Sequence, residues 1–273
     1  MTAMVMVLAG IGLIWFSWRY GWWLPAKPYN QPRILMYHMV SECPTGARFR
    51  GLRVQPDLFR KQIAFLARNG WQFVTMNELM AFNGTSPEKT VAITFDDGYL
   101  DNLTNALPVL REFNAKATLY LVVDRHDRDW SVAKKAHHNS GELAREPKLD
   151  DTQVQELLES GLIELGSHTL THPNLPASSP DQRWHEIHQS KLLLENRFGA
   201  SVTSFAYPFG LYEPLDAELA RKAGYTNAVT VEEGIEDLPH RRPFDLRRVK
   251  VSGKEGMLGF RMRLRRGTRG AFR

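Results

Sequence analysis

The chain has 273 residues, 43% of them hydrophobic and 24% charged, enough apolar material for a sizeable core, which excludes wholesale disorder. A single cysteine, Cys43, excludes an intramolecular disulfide and any cysteine-built zinc site. The net charge of +5 is concentrated in residues 261–273, where six arginines stand with no acid, and no nucleic-acid signature accompanies them, so nucleic acid is not an expected partner.

Residues 1–24 read as a membrane-anchor helix. Met4–Trp18 is apolar apart from Ser17, and Trp15, Trp18, Tyr20, Trp22 and Trp23 make an aromatic cluster of the bilayer-interface kind. A span needs about 20 apolar residues, a length reached by counting through Leu24 with Arg19 snorkelling. The competing reading, a signal peptide, lacks a basic residue before the apolar run and a clear cleavage site after it. Arg19, Lys27 and Arg33 follow the run. The positive-inside rule then favours placing the rest of the chain on the cytoplasmic face of a bacterial-type inner membrane, with the periplasmic or extracellular side as the alternative.

Residues 25–32 read as a linker, 33–252 as the folded domain, and 253–273 as a basic tail suited to an anionic membrane surface. Within the domain, strands are expected at 34–40, 73–75, 91–95, 117–123, 163–165, 204–207, 227–231 and 246–251. Helices are expected at 57–68, 77–82, 103–113 (interrupted by Pro108), 151–159, 181–198 with Leu192, Leu193 and Leu194 inside, and 215–223. Residues 124–148 are polar and read as a long loop. Strands alternating with helices argue for parallel βαβ units. We therefore expect an α/β fold, an irregular (β/α) barrel, with a doubly wound open sheet as the alternative.

The polar positions fall at strand ends, where a barrel gathers function. VAITFDDGY (91–99) delivers Asp96 and Asp97 to Gly98. Two adjacent carboxylates repel unless a cation or proton relieves them. SHTLTH (167–172) adds His168 and His172, placed by Pro173 on a loop rather than a helix. Two imidazoles and one carboxylate make a three-ligand metal site with positions open for water. The N/O set suits Zn²⁺. His185 and His188 read as surface residues, and nothing supports a role for His137 or His138.

TFDDG followed by HTLTH resembles the polysaccharide deacetylases, the NodB-homology or carbohydrate esterase family 4 proteins, across residues 33–252. The resemblance implies a distorted (β/α)₇ barrel and a metal-dependent deacetylase of N-acetylated glycans, with zinc the usual metal and cobalt or nickel sometimes accepted; we expect its substrate to be an N-acetylhexosamine-containing cell-envelope glycan or a lipid-linked or lipopolysaccharide precursor. It makes Asp96 the general base and Asp97, His168 and His172 the metal ligands. The family's late histidine motif has no match here. His38, in ILMYHMV, is similar to the acid histidine of the poly-β-1,6-N-acetylglucosamine deacetylase branch. Tyr207, Pro208 and Phe209 would shape the acetyl pocket. The sequence departs from the family at Ala206, where an arginine that orients the base is expected; Arg247, Arg248 or Lys250 could replace it. That departure also motivates a second reading, a catalytically inactive glycan-binding or assembly factor. De-O-acetylation is a third.

Overall fold

The computed structural model describes residues 2–82, 86–130, 141–237 and 242–270. Helix α1 (Thr2–Tyr20) precedes strands β1 (Arg33–Tyr37), β2 (Gln72–Val74), β3 (Thr90–Asp97), β4 (Ala117–Leu121), β5 (Ile163–Ser167), β6 (Ser204–Ala206), β7 (Asn227–Glu233) and β8 (Leu246–Lys250). The helices among and after them are α2 (Pro56–Arg68), α3 (Met76–Met80), α4 (Leu107–Glu112), α5 (Glu142–Arg145), α6 (Asp151–Glu159), α7 (Pro180–Phe198), α8 (Pro214–Lys222) and α9 (Met257–Arg266).

Every strand pairing is parallel. Seven strands run in the order β1-β8-β7-β6-β5-β4-β3, and β3 returns to β1, closing a barrel. That closure excludes the open-sheet alternative. Short β2 pairs with residues 90–92 of β3, on the edge that β4 takes over from Ile93 onward. The barrel is distorted where β5 meets β6 through the single pair Ser167–Phe205 and where β7 shifts register against β8.

Side chains alternate across the barrel wall. Leu35, Tyr37, Ile93, Phe95, Leu119, Leu165, Phe205 and Val249 pack outward beneath the helices, while Ile34, Ala92, Tyr120, Ala206, Val229 and Leu246 fill the interior. Interior space is tight around Gly166: a Cβ there would stand 2.5 Å from the Tyr120 ring.

The helices begin and end where their sequences say. Asp150 and Gln153 form a reciprocal cap on α6, Ser179 and Gln182 do the same on α7, and Gly199 (φ 62°) ends α7 in the left-handed conformation. Two expectations are corrected. Of the three leucines on α7 only Leu194 is buried, because consecutive residues fan out by about 100° around a helix. The helix expected over 103–113 divides into a π-helical turn, Asn102–Ala106, and α4; Pro108 lies in the first turn of α4, where its missing N–H costs little.

The basic tail is also corrected. Much of it is α9, packed on α2 and β8. Its Arg263 is buried, bonding Glu255 at 2.7 and 3.2 Å and Glu233 at 2.9 Å. The helix also holds the linker, since Lys27 N–H donates to the Arg265 carbonyl and Arg33 Nε to that of Leu264. By contrast, α1 leaves its apolar side chains open, with Met4 65%, Ile14 71% and Trp18 64% exposed. Among the described residues, no helix is long and apolar enough to cross a membrane.

Candidate active site

The sequence-predicted residues, the Tyr207 ring excepted, converge at the C-terminal end of the barrel. Strand alternation aims Thr94 and Asp96 of β3 inward, with Ala92. Asp97 would then face outward, but its backbone is left-handed (φ 79°), as is that of Gly98 (φ 82°). That turn brings Asp97 round to the same cluster as Asp96. A non-glycine residue at positive φ is costly and collects at functional sites.

The histidine loop is built by similar means. His168 follows β5, while Thr169 (φ 68°) and His172 (φ 59°) are both left-handed. Thr169 Oγ1 accepts the His172 N–H at 3.0 Å. Glu186 of α7 clamps the tip, accepting from Leu170 N, Thr171 N and Thr171 Oγ1 at 2.9, 2.8 and 2.6 Å. The loop expected from Pro173 is present, and Glu186 is a supporting residue that sequence reasoning missed.

Asp97 Oδ1 lies 3.4 Å from His168 Nε2 and 3.5 Å from His172 Nε2, and the two Nε2 atoms are 3.1 Å apart. All three residues are buried. Ligands at about 2.0–2.1 Å from one tetrahedral centre sit roughly 3.3–3.4 Å from each other, so these spacings fit a single divalent cation. His168 Nδ1 donates to the Ala206 carbonyl at 2.7 Å, which leaves its Nε2 lone pair facing the cluster. His172 Nδ1 is buried and, among the described residues, has no hydrogen-bond partner. Its ring lies between Trp130 (4.9 Å) and Phe209 (4.5 Å).

Asp96 stands beside this cluster, held by Arg248 of β8. Two guanidinium nitrogens reach its two oxygens at 2.7 Å each, while Arg248 also donates to Thr94 Oγ1 and the Thr230 carbonyl. Of the three candidates for the missing arginine, Arg248 is the one in place; Arg247 is turned outward onto Glu232 and Glu236. Positions 206 and 248 both face the barrel interior, so an arginine from either can approach Asp96. His38 follows β1 with inward parity, and its Nε2 is 3.9 Å from Asp96 Oδ2. Asn102 Nδ2 holds the His38 carbonyl at 2.9 Å.

The charges follow from burial and neighbours. Burial opposes ionisation of Asp96, but the Arg248 guanidinium outweighs it and holds the carboxyl below its usual range. Burial likewise opposes Asp97, and the His168 hydrogen bond with the surrounding imidazoles outweighs it. Burial lowers His38 against the pull of both aspartates. His172 is pushed down to about 3 by burial and then by His168, which keeps it neutral and able to ligate.

Phe209 and buried Pro208 lie at this end, but Tyr207 does not present its side chain there. Alternation turns it outward, where it stacks on Tyr212 and donates to the Phe244 carbonyl at 3.0 Å. An acetyl-pocket role for the Tyr207 ring is therefore corrected. His185 is exposed and His188 stacks on Trp184, away from the cluster. His137 and His138 lie outside the described residues.

Comparison with known proteins agrees with this arrangement. A family model described as polysaccharide deacetylase matches residues 83–228, more than half of the chain. The Bacillus subtilis protein YxkH, named for the same family, is 35% identical over 241 residues, covering 87% of this chain and 76% of its own. A poly-β-1,6-N-acetyl-D-glucosamine N-deacetylase of Staphylococcus aureus is 23% identical over 224 residues, covering 75% and 73%. Among solved structures, the Streptococcus pyogenes deacetylase PplD, in complex with acetate, superposes with a TM-score of 0.69 at 26% identity, covering 84% of this chain and 96% of that one.

Proposed function

The chain belongs to the polysaccharide deacetylase family, hydrolases of amide bonds, and from that premise we propose that it is a metal-dependent de-N-acetylase of a glycan containing N-acetylhexosamine. Asp97, His168 and His172 hold the cation, most suitably Zn²⁺, with Co²⁺ or Ni²⁺ as substitutes. When bound, such a cation lowers the pKa of water and polarises an acyl carbonyl. Asp96 takes the proton from the attacking water as its oxygen bonds to the acetyl carbon. Arg248 keeps that carboxylate charged and fixes its direction. His38 returns a proton to the nitrogen as the carbon–nitrogen bond breaks, giving acetate and a free amine. Its lowered pKa makes it a ready donor once protonated. Trp130 and Phe209 wall the site against water and fix the His172 ring.

One observation carries this reading: a buried carboxylate, ion-paired through both oxygens, stands beside a cluster of cation-holding spacing. It also weighs against an inactive binding factor, because Arg248 supplies what Ala206 lacks. The test is acetate release from N-acetylated oligosaccharides with and without a chelator. Release that a chelator abolishes and added Zn²⁺ restores supports the reading. Full release after chelation, or from Asp96→Asn, overturns it. The S. aureus relative makes poly-N-acetylglucosamine the first glycan to try.

We also place the barrel at a membrane. The support is the open apolar surface of α1, with Trp15 and Trp18 on it and Trp22 and Trp23 just beyond its end. Arg19 and Lys27, which follow that surface, favour the cytoplasmic face of an inner membrane. Flotation with vesicles, with residues 1–24 present or deleted, tests the attachment.

A further inference from the structure

A second concavity opens beside the proposed catalytic mouth. Its volume is about 490 Å³, and it lies between the end of α1, residues 48–52, the end of β8 and α9. Phe49 and Leu52 line it and also belong to the apolar cluster with Trp130 and Phe209 that flanks His172. Lys250, another lining residue, is two positions beyond Arg248 on β8 and pairs with Met36, two positions before His38. The cavity and the site therefore share a wall.

Its charge is lopsided. Arg19, Arg48, Lys250, Lys254, Arg263 and Arg269 line it, against Glu233 and Glu255. Both glutamates bond Arg263, and Glu255 also bonds Arg269 at 3.0 Å. Among the described residues, no carboxylate lies within ion-pair distance of the side-chain nitrogens of Arg19, Arg48, Lys250 or Lys254, while Glu142 accepts the Arg48 backbone N–H at 2.8 Å. Four cations converging on one concavity focus a positive field there. A deacetylated sugar carries an ammonium group, which this field repels, so the cavity does not suit a polymer already stripped of acetyl groups. It suits an anion with several oxygens, and arginine with lysine is the pairing that recognises phosphate.

We propose that this cavity binds a phosphate group carried by the glycan substrate, so that the enzyme acts on a phosphate-linked N-acetylhexosamine rather than on a bare neutral polymer. The inference rests on the deacetylase reading above. Trp18 and Arg19 form one wall of the cavity. The phosphate would thus sit where α1 meets the barrel, next to the helix assigned to the membrane, as a phosphate joining a sugar to a lipid requires.

The test compares an N-acetylhexosamine 1-phosphate with the neutral methyl glycoside of the same sugar. Both are titrated calorimetrically into the full-length, metal-loaded protein. We expect the phosphorylated sugar to bind about tenfold more tightly, with the advantage shrinking as salt rises. In Arg48→Gln/Lys254→Gln, which alters two exposed side chains, that advantage should collapse toward one. Equal binding by the wild type overturns the proposal. An advantage that survives in the variant also overturns it, because the phosphate would then be sitting on the metal. A third arm uses vesicles of phosphatidylglycerol or phosphatidylcholine. Vesicle binding that needs Arg48 and Lys254, with no preference between the two sugars, makes a lipid headgroup the occupant and refutes a substrate phosphate. Binding is read directly, so failure to release acetate from either sugar would count against the deacetylase reading alone.

Discussion

Arg248 is the residue on which the proposed chemistry most depends. Replacing it with alanine removes both 2.7 Å bonds to Asp96 and the contacts with Thr94 and Thr230, all in the barrel interior. Breaking a buried pair by removing one partner costs about 3–5 kcal/mol, set against a typical total stability of about 5–15 kcal/mol. Arg248→Ala should therefore fold with a visibly lower melting temperature. Asp96 would lose the charge that outweighs its burial, so its pKa rises. The base is then ionised only at higher pH, and the acid limb of kcat/KM moves upward in pH. A misdirected general base costs roughly 10²–10⁴-fold in rate. The assay is acetate release across a pH series for the wild type, Arg248→Ala, Asp96→Asn and the double variant. The double variant should be scarcely worse than Asp96→Asn, because both single changes disable one unit. Additive losses, or an unmoved acid limb in Arg248→Ala, would refute the claim that Arg248 acts through Asp96.

Other consequences can be measured separately. Gly166→Ala should destabilise the barrel by about 1–3 kcal/mol, read by chemical denaturation, since its Cβ meets the Tyr120 ring at 2.5 Å. Glu186→Gln should weaken the histidine loop, lowering metal affinity about 10–100-fold by competition with a chromogenic chelator, with the fold intact. Burial opposes the charge on Glu255, but Arg263 and Arg269 outweigh it and hold its pKa below the usual value. Its stabilising contribution is then full above about pH 4.3, the unfolded value, and fades as the pH falls through the lower folded value. The gap in melting temperature between wild type and Glu255→Gln should therefore be widest near neutrality and close in acid.

The sequence carried the candidate cation-holding cluster openly, because DDG and HTLTH are contiguous and end strands. The partner of Asp96 was less legible, yet a signal for it existed. In β8 buried Leu246 fixes the parity, and positions 248 and 250 must share its inward face while 247 faces out. Period-two counting therefore reduces three candidates to two, and of these it is Arg248 whose guanidinium reaches the Asp96 carboxylate. The same rule, applied to SFAYPF, puts Ala206 inside and Tyr207 outside, which is why the tyrosine ring lies in the outer core. Alternation fails at Asp97, whose inward turn depends on a positive φ that no strand pattern announces. Glu186 and Trp130 were hidden for another reason. They lie on a helix face and in a polar loop, and only closure of the barrel brings them to the histidines. The moved arginine follows from geometry: a closed barrel has one interior, and any inward position near its mouth can supply a cation to the base. Loss of an expected residue from one strand is therefore weak evidence of a dead site until the inward positions of every other strand have been read.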